Sequence, residues 1–291
     1  MKILIIGANG QLGHDCTDVL AAHHELLCLD RPAIDITVLD SIRKQINAFQ
    51  PDAVVNCAAY TRVDGAEADE AICQKINSEG PMNIALALAG TNAMFVHIST
   101  DYVFDGSKPL GENYVEEDTP CPVSAYGRTK LAGEAPVLAY ERGAVLRTAW
   151  LYGEHGNNFL KTMLRLSKRP APIRVVSDQH GSPTWSGSLA RQIEKLIGDF
   201  RPGLYHATSQ GSCTWYDLTK RFFAAAGIDH EVISITTADY PTAATRPMNS
   251  VLDNRALQRA GLDVMPPWEE DIDKHARAFV RTWSEELEQT K

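Results

Sequence analysis

The chain has 291 residues, a formal net charge of −9, and 44% hydrophobic against 22% charged residues. That length supports one large core or two joined ones, and the acidic balance argues against nucleic acid or anionic membrane as a partner. No run approaches the roughly 20 apolar residues of a membrane span. The six cysteines show no CxxC pair and no metal-ligand spacing, which points to a reduced, cytoplasmic setting.

Short apolar runs alternate with helical patterns through the first half. Strands are expected at Lys2–Ile6, Glu25–Leu29, Ala53–Asn56, Met94–Ile98 and Ala144–Arg147, with helices at 11–22, 38–48, 66–89 and 126–140 between them. The first apolar run covers only residues 3 to 6, too short for the core of a signal peptide. Continuous apolar strands separated by helices imply a parallel sheet covered on both faces, with right-handed crossovers. The fold class is therefore α/β, a doubly wound Rossmann-type sheet.

After Trp150 the rhythm becomes irregular. Helices are expected at 158–168, 186–198, 214–226 and 267–289, and a strand at Ile173–Val176. The expected organisation is a dinucleotide-binding domain over 1–150 with a returning segment near 184–210. A smaller, interleaved α/β substrate domain takes 151–183 and 211–291.

Gly7, Gly10 and Gly13 follow the first strand and open the first helix. Glycines at that junction permit a tight turn, close approach of backbone to a pyrophosphate, and tight helix–strand packing. The helix N-terminus then offers free N–H groups to the phosphates. Asp30 ends the second strand, where a carboxylate can bond the adenosine ribose and favour NAD. Arg31 follows and could meet a 2′-phosphate, so the cofactor is NADPH or NADH. Asp35-Ile36 lies at the next turn into a helix. Small residues close the third strand in Asn56-Cys57-Ala58-Ala59-Tyr60-Thr61, suiting a backbone pressed against a cofactor.

Tyr126 and Lys130 stand four apart, on one face of a helix. In the reductive direction, hydride addition to a carbonyl leaves an alkoxide that needs a proton. Tyr126 is the expected donor, and a fixed ammonium at Lys130 is expected to lower the phenol's pKa. Thr100, at the end of the fourth strand, would hold the carbonyl by hydrogen bonding. Asp64 and Glu67 begin the 66–89 helix, where acids favour the dipole, and read as structural.

These residues form the Tyr-Lys-Ser/Thr arrangement of the short-chain dehydrogenase/reductase superfamily, and the glycine spacing resembles its extended branch. Further motifs are similar to the dTDP-4-dehydrorhamnose reductase family: Ser99–Gly106, Tyr126–Glu134, Arg147–Tyr152, Gly156–Phe159, Asp178–Trp185 and Arg246–Ser250. The resemblance implies NAD(P)H-dependent reduction of a nucleotide-sugar 4-ketone, giving dTDP-β-L-rhamnose. By that resemblance Thr100 and Asp101 contact the sugar, Tyr126 donates the proton and Trp150 packs on the substrate. Gly10, Gln11, Leu12, Asp30, Asp35, Ile36, Ala59, Tyr60, Thr61 and Lys130 bind the cofactor. Asn158 and Arg246 are candidates for the diphosphate end, Arg246 through bidentate phosphate contacts.

Some members of the family are reported to dimerise through magnesium held by acidic residues. Here the segment after Pro183 holds no acid until Glu194, so no metal-bridged dimer is expected, and the chain is a monomer or weak homodimer. Two alternatives remain open. One is another reductase, epimerase or dehydratase of the superfamily, with Asp101 as an additional acid. The other is a non-catalytic regulatory subunit on the same fold.

Overall fold

The computed structural model describes residues 1–289, with side chains through Glu285. Five strands run in parallel register: β1 (Lys2–Ile6), β2 (Glu25–Leu29), β3 (Ala53–Asn56), β4 (Met94–Thr100) and β5 (Gly143–Thr148). Their order is β2-β1-β3-β4-β5, and a sixth parallel strand, Gly203–His206, closes the edge beside β5. β1 shows why the sheet has this form. Ile3 and Ile5 join one core cluster with the helices Gln11–Leu20 and Ser186–Gly198, while Leu4 and Ile6 join another on the opposite face. Alternating side chains are thus buried on both sides, at about 1.5–3 kcal/mol for each fully buried Leu or Ile.

All five expected strands form, and β4 runs two residues further than expected, to Thr100. That extension carries Ser99 and Thr100 to the carboxyl edge opposite Arg147 and Thr148, where ligands meet an open parallel sheet. The strand Gly203–His206 lies within the expected returning segment, although no strand was expected there.

The expected helix over 66–89 is a correction. It is broken into Val63–Ala68, Glu70–Gln74, a wide π turn Lys75–Glu79, and Gly80–Leu88. Pro81 has no N–H to bond the carbonyl of Asn77, four residues back, so the regular ladder fails there. The freed carbonyl faces the helix Ala125–Ala139 so closely that a Cβ at Gly133 would lie 2.0 Å from it. The Asn77 amide turns inward. It accepts from Tyr60 N at 2.8 Å and donates to Tyr60 O at 3.0 Å, fixing the loop after β3.

A third core cluster holds the C-terminal part together. Tyr152, Leu160, Phe222, Phe279 and Trp283 pack between the helices Phe159–Ser167, Trp215–Ala226 and Trp268–Gln289. Among the described residues no helix is long and apolar enough to cross a membrane.

Candidate active site

A cleft of about 930 Å³ runs along the carboxyl edge of the sheet, from Gly7 and Gly10 past Thr100 and Tyr126 to Trp150 and Trp215. That volume is at the upper end of the range for small-molecule sites.

At one end stands the glycine turn. Gly7 has φ +81°, and a Cβ there would lie 2.6 Å from Ala58 N, so only glycine lets the turn press against the loop after β3. A Cβ on Gly13 would lie 2.1 Å from Gly7 O; Gly13 seats the helix behind the turn and does not line the cleft. No side chain caps the helix Gln11–Leu20, and its first turn contains no acid. Gln11 and Leu12 line the cleft at this uncapped end, so an anion there meets free N–H groups and the positive end of the helix. This cradle fits a dinucleotide pyrophosphate.

Asp30 and Arg31 also line the cleft. The Asp30 carboxylate accepts from Asn9 N at 3.2 Å and from Arg31 N at 2.8 Å. The Arg31 guanidinium, largely exposed, donates to Asp35 Oδ1 at 3.2 Å. Asp35 is otherwise spent on the turn, accepting from both the N–H and the hydroxyl of Thr37, and it does not line the cleft. Its neighbour Ile36 does. Ala59 and Thr61 face the cleft, whereas Tyr60 turns away and donates its hydroxyl to Asp69 at 3.1 Å. Tyr60 contributes through its backbone, held by Asn77.

Ser124 caps the helix Ala125–Ala139 by accepting from Gly127 N at 3.1 Å, and the helix presents Tyr126 and Lys130 to the end of β4. Burial pushes the Tyr126 phenol well above its ordinary value, and the hydrogen-bonded Thr100 hydroxyl offsets this only in part. Burial also pulls Lys130 down to about 8, while its ammonium donates to Ile98 O at 2.5 Å. The expected lowering of the phenol by Lys130 is therefore corrected: desolvation dominates, and the ammonium is held on the strand carbonyl. A phenol with a raised pKa can still give its proton to an alkoxide, which is a stronger base.

The Thr100 hydroxyl donates to Asp101 Oδ1 at 2.9 Å and accepts from Tyr102 N at 3.2 Å. Burial raises Asp101 to about 6, against the opposing pull of Ser250 and Thr100. The Tyr102 ring meets the Tyr126 ring edge-on, with centroids 5.6 Å apart.

One turn beyond Lys130, Glu134 forms a buried bidentate pair with Arg147 of β5, at 2.9 and 2.6 Å. Ser99 donates to the same carboxylate at 2.5 Å. This network ties the helix to β4 and β5 directly beneath Thr100. Sequence reasoning passed over it, because nothing in local spacing pairs residues from a helix and two strands.

At the far end Trp150 stacks on Trp215, with centroids 3.5 Å apart and planes 6° apart. Trp215 was not foreseen, since a tryptophan opening an amphipathic helix reads as core. Arg246 lines the cleft and bridges two groups of the first half, donating to Tyr102 Oη at 3.1 Å and Asp64 Oδ2 at 2.8 Å. Asp64 also accepts from Ala244 N, so it straps this loop across the cleft instead of serving only its own helix. Asn158, expected at the diphosphate, caps the helix Phe159–Ser167 and donates to Gly153 O at 2.8 Å. Its amide is committed to these bonds, and the neighbouring Asn157 faces the cleft in its place.

A family model, the RmlD substrate binding domain, matches residues 1–281. The chain is 40% identical over 289 residues to a dTDP-4-dehydrorhamnose reductase of Burkholderia thailandensis, spanning 92% of this chain and 95% of that protein. A solved dTDP-4-dehydrorhamnose reductase of Clostridium acetobutylicum aligns with a TM-score of 0.91 at 43% identity, over 94% of this chain and 98% of that one. The Bacillus anthracis enzyme, solved in complex with NADP, aligns with a TM-score of 0.91 at 38% identity, over 94% and 97%. A glycine turn, a Tyr–Lys helix and a strand-end threonine around one cleft, with likeness over nearly the whole length, make this chain a member of the RmlD family of dTDP-4-dehydrorhamnose reductases.

Proposed function

We propose that the chain reduces the 4-keto group of dTDP-4-dehydro-β-L-rhamnose to give dTDP-β-L-rhamnose, using NADPH or NADH. The observation that carries this reading is a single cleft, with an anion cradle at Gly10–Leu12, a half-buried phenol at its centre and an indole wall beyond.

The nicotinamide dinucleotide, when bound, supplies the hydride. The chain supplies the rest. Thr100 turns its one hydroxyl proton from Asp101 Oδ1 to the carbonyl oxygen and holds it against Tyr126, and Tyr126 gives its proton as that oxygen gains negative charge. Lys130 keeps a positive charge beside the reacting centre, and its reach from Ile98 O suits a ribose hydroxyl. Trp150 covers the sugar face, Asp101 meets a sugar hydroxyl, and Arg246 meets the diphosphate after exchanging Asp64 for it. Asn158 has no direct role in this reading. We read residues 1–150 with the 184–210 return as the dinucleotide lobe and the remainder as the sugar-nucleotide lobe, in a cytoplasmic enzyme.

Purified protein should oxidise NADPH or NADH only when the keto-sugar nucleotide is added. Failure with both cofactors ends the proposal. Tyr126→Phe should retain cofactor binding while turnover falls about 10²- to 10⁴-fold, the usual worth of a general acid.

A further inference from the structure

Trp150 has φ +47°, a left-handed backbone conformation in which a bulky residue is strained. Such a residue persists only where its surroundings hold it, and two later stretches of the chain, the Gly181–Thr184 loop and Trp215, do so. Trp215 lies flat against one face of the indole. Gly181 forms a notch against its edge, where a Cβ would lie 2.3 Å from Trp150 Cε2. Thr184 N donates to the Trp150 carbonyl at 3.3 Å.

Trp215 is itself fixed. It is the first residue of its helix, enclosed by the capping box of Thr214 and Asp217. Its indole N–H donates to Gln179 Oε1 at 3.2 Å, and the Gln179 amide donates to Thr237 Oγ1 at 3.1 Å. Phe159 packs on it with centroids 4.5 Å apart. Trp150 leaves the end of β5, whereas Gln179, Gly181 and Trp215 all come from the later part of the chain. The stack therefore sets the position of the Trp150 ring, which lines the same cleft as Tyr126, from the later part of the chain.

We propose that Trp215 is a positioning residue for the reduction: it holds Trp150 in its strained pose, and that pose aligns the keto-sugar with Tyr126. The inference rests on the reductase reading above. Trp215 acts through Trp150, so its removal matters only while Trp150 is present. The variants Trp215→Ala, Trp215→Phe, Trp150→Ala and Trp150→Ala/Trp215→Ala form the test.

Trp215→Ala should lower kcat/KM by about tenfold or more, the scale of a lost aromatic stack together with relaxed geometry. The loss should fall mainly on kcat, with cofactor Kd unchanged, and Trp215→Phe should restore most of it. In the Trp150→Ala background the same Trp215→Ala change should alter kcat/KM by less than about twofold. An equal fall in both backgrounds, or no fall in either, overturns the proposal. If the wild type reduces no 4-keto sugar nucleotide, the reductase reading fails and the stack is judged without turnover. Urea midpoint shifts that are smaller in the double variant than the sum of the singles then support it, and additive shifts overturn it.

Discussion

Asp101 offers a test in which stability and function pull apart. Its carboxyl is buried beside Thr100 and raised from 3.8 to about 6, chiefly by desolvation. The native state thus binds this proton more tightly than the unfolded chain does. The sign follows: the favourable contribution is fully present below pH 3.8 and is lost as the pH rises through about 6. Roughly two pKa units at 1.36 kcal/mol each amount to about 3 kcal/mol of stability lost by neutral pH. Asparagine has nearly the same shape and no charge to desolvate. Asp101→Asn should therefore be about 3 kcal/mol more stable than the wild type at pH 7.5, and nearly equal to it at pH 4. With urea slopes of about 1–3 kcal/mol/M, the neutral-pH difference is a midpoint shift of about 1–3 M. Urea unfolding of both proteins at the two pH values measures it directly. A difference that is the same at both pH values would refute the reasoning, and so would a variant less stable than the wild type at pH 7.5. Turnover should fall in the same variant, the usual relation where a site holds a group in an unfavourable state.

Lys130 titrates at about 8 because it is buried; its charge is present below that value and lost above it. The pH profile of kcat/KM should fall above about pH 8, and Lys130→Met should be of low activity without that limb. Glu134→Ala leaves the Arg147 guanidinium buried without its carboxylate. Calorimetry or urea unfolding should show a loss of about 3–5 kcal/mol, most of it recovered when Arg147→Met accompanies Glu134→Leu. Arg31→Ala should raise the KM for NADPH about tenfold and leave that for NADH within twofold, because only the 2′-phosphate needs the guanidinium that Asp35 now holds. Equal changes for both cofactors would remove Arg31 from that role.

The fold was legible because its signal is local. The inner strands β1, β3, β4 and β5 are buried on both faces and appear as apolar runs, and the intervening amphipathic helices follow from their own periodicity; the edge strand Gly203–His206 is only half buried and carries no such run. The glycine turn and the Tyr126–Lys130 pair were legible for the same reason, since one tight turn and one helix face set their geometry. The break at Lys75–Glu79 was not, although Pro81 was in view. A proline permits a wide turn, but Asn77 reaching Tyr60 is what makes it useful.

Sequence by itself determined the alternation of strands and helices in the first half, the residue types at the anion cradle, and the presence of a phenol and an ammonium on one helix face. Tertiary structure alone decided the protonation energetics. Burial raised the Tyr126 phenol and lowered Lys130, outweighing the influence expected from their spacing, because desolvation depends on everything packed around a group. It also decided which side chains face the cleft. Asn158 was taken up as a helix cap, Arg246 was paired with Asp64 and Tyr102, and Trp215 was brought against Trp150 from 65 positions further along the chain. Contacts between residues so far apart leave no periodicity in the chain, and only folding brings them together.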